Sequence, residues 1–531
     1  MNLKTLVALL LAAASFTTLS AQRRADDPMT VALMKVYDQL LDEDPRDPET
    51  LFRRGSEYYN INDYVHALDD LNGAIKYADP ADADFLQQAR ILRSNILMMQ
   101  KKYDRAVEDL NAVIENDPAD YAAYYQRGTA LYNLDRLAEA KRDFQMLRQI
   151  NPRSQEALFG LARIAVKEKN IGVAGELCDM AVAITPTNSE AYMRRASVRT
   201  QMGNAPGAVE DYIYALSTDN ANTAGALRAL VDLSRRNYPV VISGLTEAIR
   251  KAPRNGLFYY IRGMIAQGHC NYLSAIADYD AILNNKLDSY PGINGSLAEC
   301  YYYLTRFDTA LLNIDYAING TEENAYYYMF KSRIERAMGH PEQAVEAANA
   351  ALVSNAEYSD ALIAKALAQL DLNESADASV ALSEVAMNEP ENALAFLLRG
   401  WVLSEFRNQP KPAAQAWERM LDMDYDFDDV RSLKGFALLY LDRRDEAEAW
   451  MKRVLDTADD YDGEINYYAA CLYSQMGLMD RALRHAEASL EKGYANLYAW
   501  TMAADANVNC APLRKDDRFD ALLKKYATLF K

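Results

Sequence analysis

Small and bulky side chains alternate along this chain in a pattern that returns about every 34 residues. Pro118, Pro152 and Pro186 mark the period, each 34 residues after the last. One column of small residues runs Ala67, Ala106, Ala140, Ala174, Ala208, Val241, Ala275, Ala310, Ala344, Ala378, Ala413, Ala447, Ala482; after a first interval of 39, every spacing is 33 to 35. A second column lies about three helical turns earlier in each unit. It holds Gly55, Ser94, Gly128, Ala162, Ala196, Ala229, Gly263, Ala298, Ser332, Ala366, Gly400, Gly435 and Ala470. The two columns have one physical cause, because two helices cross closely only where neither presents a bulky side chain. Aromatics form a third column where the second helix of a unit begins, at Tyr64, Tyr103, Tyr238, Tyr272 and Phe307. The pattern predicts paired helices throughout residues 48–496, in thirteen units, preceded by an amphipathic helix over Met29–Asp44.

These columns resemble the tetratricopeptide repeat, a helix–turn–helix unit with small residues at those two places and a closing proline. Individual units depart from the pattern: the closing proline is missing after several, and none carries the family's Trp early in the first helix. The resemblance implies an all-α, right-handed α-solenoid of about thirteen repeats. A single helical pair exposes too much apolar surface to stand alone, so each unit buries its face on the next and the ends need caps. Residues 22–47 supply an N-terminal capping helix. Residues 497–531 supply a C-terminal capping segment, in which Leu513-Arg514-Lys515-Asp516-Asp517-Arg518-Phe519 resembles an Arg-x-Asp-Pro-Arg-Phe run found after such repeats, with Asp517 in place of the Pro.

The first residues are set apart from this fold. Lys4 precedes a short apolar run, Leu6 to Ala14, and small and polar residues lead to Leu19-Ser20-Ala21. That order predicts a secretory signal peptide over residues 1–21, cut after Ala21, and hence a periplasmic or outer-membrane-associated protein. The run is too short for a bilayer, and no later segment is apolar over the roughly 18 residues a membrane helix needs, so no transmembrane anchor is expected. Removing residues 1–21 takes away Lys4 alone and leaves an acidic chain, with Lys+Arg falling from 57 against 76 Asp+Glu. Its field repels phosphate, which argues against nucleic acid and against an anionic membrane surface. Cys178, Cys270, Cys300, Cys471 and Cys510 form no CxxC, and their odd number leaves at least one unpaired. A Cys270–Cys300 bridge is one arrangement the count allows.

Material for catalysis is sparse. The four histidines, His66, His269, His340 and His485, fall in different units near turns, with no HExxH and no pair at i, i+4. There is no GxxxxGK[ST] loop and no GxSxG elbow. Two acidic stretches, Asp422/Asp424/Asp426/Asp428 and Asp459/Asp460/Asp462/Glu464, fail the calcium-loop test, which needs Gly at the sixth place and Glu at the twelfth. Capping of the following helices is the better reading. No enzyme, metal or cofactor is expected.

Tyrosine stands out instead, with 36 copies and runs such as Tyr301-Tyr302-Tyr303 and Tyr326-Tyr327-Tyr328 on first helices. Neighbours in such a run differ by about 100° around the axis, so they face different ways. The resemblance implies that first helices line a concave surface. Carrying its groove positions over selects Tyr125, Tyr132, Phe159, Arg163, Tyr260, Tyr302, Tyr303, Tyr326, Arg333, Arg336, Trp401, Phe436 and Tyr467, with Tyr301 and Tyr328 turned toward the packing side. Aromatic and Arg side chains bury large areas and keep a polar tip, as protein interfaces favour. The family's carboxylate clamp is absent, since Phe52 and Ser56 stand where its first Lys and Asn belong. The function expected is a protein-binding scaffold for a peptide or protein partner. A structural subunit of a secretion or envelope complex and a glycan-active helical enzyme are the alternatives; paired carboxylates in a deep cleft would mark the enzyme.

Overall fold

The computed structural model describes residues 27–218, 223–287, 290, 292–321, 324–424, 428–502 and 510–531; the signal-peptide expectation lies outside them. The described residues form an all-α solenoid of helix–turn–helix units, with no strand among them. The chain divides into two compact units, one ending at Ala226 and the other starting at Leu227.

In the first unit the helix Pro48–Asn60 pairs with Tyr64–Tyr77, Ala83–Met99 with Tyr103–Asn116, and Tyr121–Asn133 with Leu137–Ile150. Gln155–Lys167 pairs with Ile171–Ile184 and Ser189–Gln201 with Ala205–Thr218. The helix Pro28–Glu43, the expected N-terminal cap, packs in front of the first pair. Short polar side chains start many of these helices: Asp47 accepts from the Thr50 amide, Asp120 from that of Ala123 and Ser154 from that of Ala157. First helices end alike. One residue enters the left-handed region at Asn62, Lys101, Asp135, Lys169 and Gly203, and the next amide bonds back across the last turn, as Arg136 does to the Leu131 carbonyl at 2.9 Å.

The small-residue columns mark the helix crossings. Every residue of the second-helix column, from Ala67 to Ala482, is fully buried. A Cβ added at Gly128 would sit 3.1 Å from Phe144 and 3.3 Å from Asp143, so the crossing is already closed. Beside this column runs a polar one. Arg54, Arg93, Arg127 and Arg195, each just before a small residue of the first helix, grip Asp70, Asp109, Asp143 and Asp211 on the second helix sixteen places on. Arg262 and Asp278 repeat the pair in the second unit. These carboxylates are buried, and burial pushes Asp143, Asp211 and Asp278 up while the paired guanidinium opposes it. Between Arg127 and Arg195, the unit of helices Gln155–Lys167 and Ile171–Ile184 places Leu161 and Leu177 at the corresponding sites.

The second unit begins irregularly. Thr223–Lys251 runs as one helical stretch through a kink at Asn237, where φ is −132° and ψ 35°. The left-handed closing residue is lost there, Pro239 lacks the amide a sharp turn would use, and Ala229 is only half-buried. Regular pairs resume from Gly256–Gly268 with Tyr272–Asn284 and continue to Glu464–Gln475 with Met479–Glu491. Within this unit early and late repeats touch. Arg236 reaches Asp459 at 3.6 Å, and the His269 ring meets that of Tyr461 at 5.0 Å. The closing segment packs on the last repeat: Trp500, Leu513 and Phe519 are buried, Arg518 pairs with Asp480 at 2.8 Å and Lys525 with Glu487 at 2.6 Å.

Candidate functional site: an aromatic and basic groove

Three successive first helices of the first unit, Tyr121–Asn133, Gln155–Lys167 and Ser189–Gln201, bring Tyr132, Phe159 and Arg163 to one open groove of about 210 Å³. Ala162, Val166, Cys178 and Val198 form its apolar floor; Arg194, Ser197 and Gln201 form its polar wall. The geometry follows from the repeat. Residues one unit apart lie side by side, so a ring on one first helix meets a cation on the next. The Arg163 guanidinium lies 4.1 Å from the centre of the Tyr132 ring, and Lys167 Nζ lies 4.3 Å from the same ring. Arg194 repeats the arrangement over Phe159 at 4.7 Å. Lys167 also pairs with Asp135 at 3.0 Å and Arg194 with Glu190 at 2.8 Å. Arg163 is exposed and is held by the Tyr132 ring and by no carboxylate of the described residues. Cys178 is buried, and burial pushes its thiol up to about 11, which keeps it protonated and unreactive.

Tyr125 is exposed on the same helix as Tyr132. The first unit therefore displays three of its four selected residues at the groove and the fourth on the helix that lines it. Lys167 and Arg194 went unselected in the sequence. Their signal was one repeat of spacing: each follows its aromatic partner, Tyr132 or Phe159, by 35 residues.

The second unit corrects the expectation. Tyr302 and Phe436 are fully buried, and Tyr467 nearly so. The Tyr302 and Tyr467 rings are covered by residues from later in the chain. Tyr498 lies 4.6 Å from Tyr302, while Tyr494 and Trp500 lie 5.2 and 4.8 Å from Tyr467. Tyr303 stacks on Tyr272 at 5.0 Å and Tyr260 on Tyr290 at 5.0 Å, both half-buried. Arg333 lies over the Tyr302 and Phe330 rings at 5.4 and 5.3 Å, and Arg336 pairs with Asp371 at 2.7 Å. Tyr326 is exposed, with its hydroxyl on the Glu299 carboxylate, whose other oxygen accepts from Gln267 at 2.8 Å. Burial pushes Glu299 up, with the Tyr326 hydrogen bond opposing. Trp401 is half-buried against Phe406 at 5.0 Å. Tyr301, expected on the packing side, is half-exposed, so the buried ring of that run is Tyr302.

The acidic stretch before the last repeat does capping work. Asp460 accepts from the Ile465 amide at 2.8 Å and from Lys492 at 2.9 Å, and Asp462 accepts from the Glu464 amide at 3.1 Å. Asp426 of the other stretch lies outside the described residues. No described helix is long and apolar enough to cross a membrane.

Residues 91–147 match the family model described as tetratricopeptide repeat. The chain is 28% identical over 195 residues to the DnaJ homolog subfamily C member 7 homolog of Dictyostelium discoideum, which covers 34% of this chain and 30% of that protein. It is 27% identical over 176 residues to a tetratricopeptide repeat and J domain-containing co-chaperone of Cryptococcus neoformans, covering 33% of this chain and 28% of that protein. The chain thus spans less than a third of the length of these curated relatives. Among solved structures, yeast Tom70 is 16% identical with a TM-score of 0.34, covering 76% of this chain and 96% of that one. Tetratricopeptide-repeat proteins mediate protein–protein interaction, which supports a scaffold role.

Proposed function

We propose that this protein is an exported, non-catalytic scaffold that captures an extended segment of a protein partner in the groove of residues 121–201. The observation that carries this reading is the convergence of Tyr132, Phe159 and Arg163 on one open groove with an apolar floor. Large aromatic surface beside a cation gives a segment both buried area and polar anchoring. The location is read from the layout of residues 1–21, which supports a partner in the periplasm or at the outer membrane, within an envelope complex.

Site-specific photo-crosslinking in the native envelope tests the groove. A photoreactive residue at Arg163 or Tyr125 should yield a discrete adduct that one at Val353, on a second helix, does not. Equal adducts at all three sites would overturn the groove. Mass spectrometry of the natively produced chain should find Gln22 or a near neighbour at the N-terminus; an intact Met1 in the cytoplasm would overturn the location.

One observation favours a second reading, a structural subunit that docks through its second helices. Leu312, Tyr316, Val353, Val380 and Met387 are exposed on three successive second helices of the second unit. In that case the adduct would form at Val353 and not at Arg163.

A further inference from the structure

The five cysteines are not used by the groove, apart from the buried Cys178 in its floor. Two of them meet at the end of the chain. Cys471 lies on the helix Glu464–Gln475, and Cys510 precedes the short turn Leu513–Lys515 of the closing segment. Both are fully buried. Tyr467 stands one helical turn before Cys471, on the same face. Its hydroxyl reaches the Ala499 carbonyl at 3.4 Å, and the Cys510 thiol faces that same carbonyl at 3.8 Å and the Trp500 carbonyl at 3.3 Å. One carbonyl thus holds both Tyr467, on the face that bears Cys471, and the sulfur of Cys510, and the two cysteines share one buried core.

We infer that Cys471 and Cys510 are a disulfide-forming pair that ties the closing segment to the last repeat. The oxidant is a disulfide, small-molecule or protein. The Cys510 thiolate attacks it, forms a mixed disulfide and expels one thiolate. The Cys471 thiolate then attacks the Cys510 sulfur and expels the second. Two thiols of the chain lose two protons and two electrons, and the oxidant becomes two thiols. Because neither sulfur is exposed once the segment is docked, the exchange belongs to the folding chain. The bond would act where a repeat array is weakest, since an end unit has a neighbour on one side only.

The test refolds the full reduced chain in a mixture of oxidised and reduced glutathione, then quenches, alkylates and maps peptides without reduction. The result expected is one linked pair, Cys471 with Cys510, and three alkylated cysteines. Oxidised chain should melt several degrees above reduced chain, and this difference should vanish in C510S and in C471S. Should either serine variant fail to fold, the reductant-dependent shift of the unmutated chain and of C178S supplies the same readout. Five alkylated thiols, or a link joining any other two cysteines, overturns the inference.

Discussion

Arg127 grips Asp143 with two parallel hydrogen bonds, Nε to Oδ2 at 2.9 Å and Nη2 to Oδ1 at 2.7 Å, and sends Nη1 to Asn111 at 2.9 Å. One side chain therefore joins both helices of its own repeat to the second helix of the repeat before. Arg54 does the same with Asp70 and Asp38, and Arg195 with Asp211 and Asp179. Removing one partner leaves the other charge buried without its counter-ion, which costs about 3–5 kcal/mol. Arg127→Ala should lose stability in that range by chemical denaturation. The double variant Arg127→Leu/Asp143→Leu should recover most of it, because Leu161 and Leu177 occupy these sites in the next repeat.

Gly128→Leu drives bulk into a crossing already closed by Phe144, and overpacking of this kind costs about 1–3 kcal/mol. A repeat array couples mainly neighbours. Hydrogen exchange should therefore speed up over the helices between Ala83 and Lys167 and stay unchanged in the second unit. Even loosening throughout the chain would contradict the repeat picture.

The groove and the buried rings should separate on the same two measurements. Tyr132→Ala and Arg163→Ala should weaken partner capture by about 2 kcal/mol, some thirtyfold, with little change in melting. Tyr302→Ala should behave oppositely, losing about 3–5 kcal/mol of stability as a buried aromatic does. Melting temperature and affinity measured on all three variants would decide between these classes.

Acid should loosen the second unit before the first. His269 sits between Tyr238 and Tyr461 with Ser234 on its ring nitrogen, and burial with the Arg235 cation holds it down at about 4. The unfolded imidazole takes a proton near its ordinary value of 6.5, whereas the folded one resists until about 4. The stability it contributes is thus complete above the unfolded value and falls as pH drops from about 6.5 to about 4. Burial lowers His485 as well, so it adds a loss of the same sign. Melting followed across this window should drop in the unmutated chain and drop less in His269→Gln.

How much of this was legible depended on how local each cause is. A column of Gly, Ala and Ser reports a helix crossing inside one unit, and every residue of the second-helix column is buried as that reading requires. The Arg–Asp pairs escaped notice because a buried polar column looks, in sequence, like any solvated charge. Phe159 and Arg163 were legible because their neighbours lie one repeat away. Tyr302 and Tyr467 were not, because what covers them, Tyr498 and Trp500, comes from the closing segment. Nothing in a repeat's own pattern states how far the array turns before it meets its end.

That meeting sets the order of events as the chain is made. Among the described residues, every ion pair of the first unit joins residues of the same or an adjacent repeat, so each of its repeats can settle as soon as its neighbour emerges. In the second unit Arg236 waits for Asp459, and Tyr302 for Tyr498, both near the end of the chain. Until those residues appear, the aromatic surface of its early helices stands open to other chains. The stretch between Leu227 and Tyr498 is thus the window in which this protein is exposed to misassembly, and the stretch for which a holding chaperone would matter most.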